Sequence, residues 1–173
     1  MARTIALIYI EEHAIPNYIR KMILTRLIWA VTENDDDGNW KKYNGQPFWS
    51  EGALKKVISN LENGNPFWKD LRHEHSIPKK IIISQINNSN KSEEEVYKIL
   101  DKLGHSTIVS KEEDSQLSKK GLRSTMPSLI NKGLNEIDIF SRYREIGIRI
   151  YDIGKKDILT IDTKFLETLN QKV

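Results

Sequence analysis

Apolar positions recur at helical spacing early in the chain. Pro16 suits the first turn of a helix, and after it Ile19, Ile23, Leu27 and Ala30 with Val31 share one face. That helix should end near TENDDDGN, a run of turn formers at residues 32–39. Ser50 stands as the cap of a second helix over about 51–63, closed by Gly64. Leu71 to Ile77 reads as a strand, preceded by the aromatic pair Phe67 and Trp68. KKIIISQI is a short apolar run that fits a helix, because Pro78 sits where helices begin. Ser92 with Glu95 forms a capping box, Val96, Ile99, Leu100 and Leu103 make a helix face, and Gly104 stops it. STIVS, residues 106–110, is a strand by its β-branching. Ser110 with Glu113 is a second capping box, opening a helix that ends by Gly121. Further on, DIFSRYREIG reads as helix, IRIYDI as strand and the last ten residues as helix.

This order predicts an α+β fold. A helical N-terminal region (1–68) would pack on a central ββα unit (69–124), with a small α/β tail (125–173), all within one compact domain. A chain of 173 residues buries roughly two-thirds of its unfolded surface and needs no staples. It has no cysteine, which excludes disulfides, thiolate chemistry and cysteine-held zinc. No apolar run approaches the roughly 20 residues that span a bilayer. The opening MARTIALIYIEEHAIP lacks the form of a signal peptide, so a cytoplasmic protein without a membrane partner is expected. The formal charge is +3, from 27 basic and 24 acidic residues, so any phosphate-binding surface must be local.

Two segments suggest chemistry and have plainer readings. Asp35, Asp37 and Gly38 hint at a calcium loop, but Asn44 stands where the bidentate glutamate is required, so a solvated acidic turn is expected. WKKYNGQPFWS carries Trp40, Tyr43, Phe48 and Trp49; it is either an aromatic plug under a loop or, beside Lys41 and Lys42, a base-stacking platform.

LRHEHSIPKK, residues 71–80, holds the candidate site. Glu74-His75-Ser76-Ile77-Pro78, followed by strand 106–110 and a helix opening Ser110-Lys111-Glu112-Glu113-Asp114, resembles the ββα-metal (His-Me) finger of the HNH endonucleases. In that family a first strand ends in an acid and a histidine, then two residues and proline, and the helix after the second strand supplies the last metal ligand. The resemblance covers residues 70–120 and implies metal-dependent hydrolysis of nucleic-acid phosphodiesters, in restriction, phage defence or a mobile element. It casts His75 as general base, with Glu74 and Asp114 holding magnesium or manganese. Those residue types suit the chemistry: imidazole takes a proton near neutral pH, and carboxylates bind hard divalent cations. The helix ligand is usually histidine or asparagine, here Asp114; the middle asparagine could be Asn87, Asn88 or Asn90; and the zinc-knuckle cysteines are missing.

Strand geometry leaves the ligand set open. Residues two apart share a face, so His73 and His75 pair and Glu74 looks away unless the strand breaks there; His73 is therefore the alternative ligand. Both histidines could equally be ordinary half-buried strand residues. Arg72, Lys79 and Lys80 beside the motif, and Lys119, Lys120 and Arg123 after the next helix, form a candidate phosphate track for nucleic acid, DNA before RNA. The second cluster also complements a helix dipole, while Arg142, Arg144 and Arg149 add charge later. His13 and His105 receive no role. The competing functions are a non-catalytic protein- or nucleic-acid-binding module, such as a defence-system subunit or phage inhibitor, and a degenerate HNH fold that no longer cuts.

Overall fold

The structure is a computed structural model and describes residues 2–10, 15–33, 42–127, 134–154, 157–160, 162 and 164–165. Its elements in chain order are α1 (Ala2–Ile10), α2 (Asn17–Glu33), β1 (Phe48–Ser50), α3 (Glu51–Glu62), β2 (Leu71–His75), α4 (Lys79–Asn88), α5 (Glu93–Leu103), β3 (Ser106–Ser110), α6 (Lys111–Lys119), α7 (Ser141–Arg144) and β4 (Ile150–Asp152). Helices around a small mixed sheet make this an α+β fold. Asp35, Asp37, Gly38, Trp40, Lys41, His13 and most of the C-terminal segment read as helix lie outside the described residues.

The sheet runs β2-β3-β1-β4. β3 pairs antiparallel with β2 (His73 opposite Ile108, Glu74 opposite Thr107) and parallel with β1. β1 is a strand that the sequence pattern missed: with three residues it is too short to show an alternation. Trp49 on β1 is fully buried, with Nε1 donating to the Gln46 carbonyl at 2.8 Å. Tyr43 meets Phe67 edge-on and Phe48 meets Phe140 likewise, so the described part of this aromatic segment is a core plug. α1 was also not foreseen; Ile5, Ala6 and Ile8 sit in a helical core with Ile28, Val96 and Leu103.

The two sheet faces bury different sets. Trp49, Leu71 and Ile108 pack with Leu54 and Val57 of α3, whereas Val109 and Ile150 pack with Leu117 of α6 and with Phe140 and Tyr143. α2 is turned by one residue from its expected phase. Arg20, Leu24, Ile28 and Thr32 are its buried positions, with Ile23, Leu27 and Val31 partly buried beside them. β2 stops at His75, two residues earlier than expected, since Pro78 already opens α4. The segment expected to be helical at 138–147 forms a single turn, Ser141–Arg144, before Gly147 at φ 73°. Among the described residues no helix is long and apolar enough to cross a membrane.

Candidate functional site

β2 remains regular through the motif, and its burial alternates from Leu71 to His75. Its residues therefore divide between the two sheet faces. His73 and His75 point together under α2, each only 5% exposed. The Trp29 ring lies 4.1 Å from the His75 ring centre and 5.5 Å from that of His73. Thr32 Oγ1 is 3.5 Å from His75 Nδ1, and the Lys79 ammonium rests 4.4 Å above Trp29. Burial pulls the pKa of His73 down to about 4; burial and the charges of His73, Lys79 and Arg142 pull that of His75 down to about 3. Both imidazoles are neutral at neutral pH. Among the described residues, Nε2 of His75 has no hydrogen-bond partner.

Glu74 looks the other way, into a buried polar cluster. Its Oε2 accepts from Arg142 Nη2 at 3.0 Å. The guanidinium of Arg142 is sealed from solvent and also donates to the His75 carbonyl, to the Leu122 carbonyl at 3.3 Å and to the Tyr143 hydroxyl at 3.0 Å. Behind it Ser76 Oγ and Thr107 Oγ1 are 2.7 Å apart. Burial raises the Glu74 pKa against the lowering pull of Arg142; the Asp114 charge raises it further and Arg123 lowers it. Asp114 therefore stands on the Glu74 side, with its Oδ1 buried and without a partner among the described residues.

The expected catalytic constellation is thus not assembled. Glu74 and Asp114 lie on the same side within electrostatic reach, but His75 and the alternative ligand His73 occupy the opposite sheet face. Among the described residues no three acidic or histidine side chains converge on a common ion position. Glu74 is moreover bonded to a cation of the protein itself. These residues do not fit the three-ligand magnesium or manganese site that the resemblance implies. A buried imidazole with a pKa near 3 is also a poor proton acceptor at neutral pH. The assignment of His75 as base beside a Glu74–Asp114 metal pair, and of His73 as the alternative ligand, is corrected accordingly: an unbroken strand turns Glu74 away from both histidines.

The basic residues fare differently. Arg72, Lys80, Lys119, Lys120 and Arg123 are exposed and Lys79 is half-buried. Lys79 and Arg123 each lie within electrostatic reach of Glu74, which links one member of each sequence cluster. Lys79 also feels Arg26 of α2, a residue that sequence reasoning passed over. Arg142 is structural, while Arg144 and Arg149 pair with Asp138 and Glu51. The missed signal was local charge: α2 from Asn17 to Thr32 and the whole of α4 contain no acidic residue. At the opposite end of the sheet, where α3 and α6 begin, Glu113 already satisfies both helix N-termini through Ser50, the Gly52 amide (3.2 Å) and the Ser110 amide (2.8 Å). An internal carboxylate thus fills a position that elsewhere receives phosphate. No protein-family model, curated protein or solved structure matches this chain.

Proposed function

We propose that this chain is a nucleic-acid-binding module that holds its ligand without cutting it, on a frame with the strand and helix order of a ββα finger. The observation that carries this reading is the basic line Arg26–Lys79–Arg123, in which Lys79 lies within electrostatic reach of Arg26 and both Lys79 and Arg123 lie within reach of Glu74. Together with the acid-free stretches of α2 and α4 it supplies a local cation surface on a chain whose net charge is only +3. The separation of the imidazoles from Glu74 and Asp114 onto opposite sheet faces supports a module that does not cut.

The test uses end-labelled 20-mer DNA, single-stranded and duplex, with magnesium or manganese. The wild type should bind and leave the DNA intact, and the Lys79→Glu/Arg123→Glu variant should lose binding. Unchanged binding by that variant would discard the basic line. Metal-dependent cutting that disappears in a folded Asp114→Asn variant would restore the hydrolytic reading on the Glu74 face.

A further inference from the structure

We infer that the outward stripe of α2 is a stacking platform that makes the ligand a single strand, DNA or RNA, in preference to a duplex. This deepens the proposed nucleic-acid function and rests on it. Tyr18, Lys21, Met22, Thr25, Arg26 and Trp29 line one groove of about 390 Å³. They recur every three or four residues and so follow one helix face, opposite the buried Leu24 and Ile28. From Tyr18 to Trp29 the stripe runs roughly 16 Å along the axis.

Its composition is unusual for a solvated face. Tyr18 is 74% exposed and Met22 58% exposed, with no apolar cover among the described residues. An ordinary outer face would intersperse Lys and Glu; here the first acid is Glu33, at the helix end. Trp29 is fixed between His75 and the Lys79 ammonium, so it serves as the rigid end wall of the groove. The free aromatic face is that of Tyr18. Lys21 also borders a second groove of about 360 Å³ toward α4, where Lys91 stands.

Charge complementarity selects the occupant. Cations along the rim with an exposed ring and thioether in the floor match a polyanion carrying flat apolar groups. A duplex keeps its base faces stacked inside and would use only the cations. A single strand presents both phosphates and π-faces, and stacking on one aromatic side chain is sequence-tolerant. The groove leads toward Lys79, where it joins the line to Arg123.

The experiment is fluorescence anisotropy with the full chain and labelled dT20, U20 and a 20-base-pair duplex, over a salt series. The wild type should bind both single strands more tightly than the duplex. Tyr18→Ala should raise the dT20 Kd about fivefold or more with an unchanged salt slope, and Tyr18→Trp should restore it. Lys21→Glu/Arg26→Glu should weaken binding and flatten the slope. Every altered side chain is at the surface, and circular dichroism checks that the fold is kept. Equal affinity for duplex and single strand, or a Tyr18→Ala variant that binds dT20 as the wild type does, overturns the platform and leaves the Arg26–Lys79–Arg123 line standing. A wild type that binds none of the three oligonucleotides overturns both. Loss in Tyr18→Ala of binding to phosphatidylserine vesicles, with oligonucleotide binding unaffected, would reassign the stripe to a membrane surface.

Discussion

His73 and His75 are kept uncharged by the α2 helix lying over them, and the consequence is acid sensitivity. Each has a folded-state pKa well below the ordinary 6.5, at about 4 and about 3. Above pH 6.5 both are neutral whether the chain is folded or not, and the stabilisation is complete. As pH falls below 6.5 the unfolded chain takes up protons that the folded chain refuses, so stability declines until the folded pKa values are reached. At pH 5 the loss should be about 2 kcal/mol per histidine. Glu74, whose carboxyl is raised by burial, works in the opposite sense. The His73→Phe/His75→Phe variant isolates the histidines: its urea midpoint should move less between pH 7 and pH 5 than that of the wild type. Equal movement would mean that water reaches both rings. Across the sheet, Arg142 is the costliest residue to alter. Arg142→Met leaves Glu74 largely buried without its cation and strips donors from the carbonyls of His75 and Leu122. Unfolding by denaturant should record a loss of about 3–5 kcal/mol, and Lys at this position should not rescue it, because a point charge cannot reproduce the fork.

Two helices depend on one carboxylate. Glu113 closes the capping box of α6 with Ser110, and it also accepts from Ser50 and from the Gly52 amide at the start of α3. Ser50 in turn caps Ala53 at 3.0 Å. Glu113→Ala should therefore cost about 2 kcal/mol, more than one ordinary cap on a surface helix, and Glu113→Gln should cost less. A Cβ on Gly52 would lie 2.6–2.9 Å from the Glu113 carboxyl atoms and displace it. Gly52→Ala should then be destabilising by itself but add little to Glu113→Ala, a non-additivity that a double-mutant cycle by urea unfolding reads directly. What the sequence made legible follows the same division between local and distant. The caps at Ser50, Ser92 and Ser110 were readable because donor and acceptor are three positions apart. The bond from Ser50 to Glu113 joins positions 63 apart and leaves no local trace. α2 was placed correctly but turned one residue off phase, since apolar side chains occupy both of its faces and the outward Met22 blurs the stripe. For the candidate site, the alternation rule already put His73 with His75 and Glu74 apart from them. The acid-histidine word could not reveal that Arg142, 68 positions on, holds Glu74 in that orientation.

At the scale of the whole molecule the modest charge of +3 conceals a partition. Acids gather in the first turns of α5 and α6, whereas α2 before Glu33 and α4 carry only cations. Binding to a polyanion should then be governed by a few residues on one side, and salt will reveal how many. For a single strand, each phosphate neutralised contributes about −0.7 to the slope of log affinity against log salt, so contacts by Lys21, Arg26, Lys79 and Arg123 predict a slope near −3. Neutralising any one of the four should bring that slope about 0.7 closer to zero. Lys98 is the matching control, because its ammonium already pairs with Glu94 and Glu95 on α5, and Lys98→Ala should leave the slope unchanged. A slope that shifts with Lys98 and not with Lys79 would move the phosphate path off the α2–α4 side altogether. Because the slope reports released counterions, it distinguishes loss of a phosphate contact from a general weakening of the fold, which would lower affinity at every salt concentration alike.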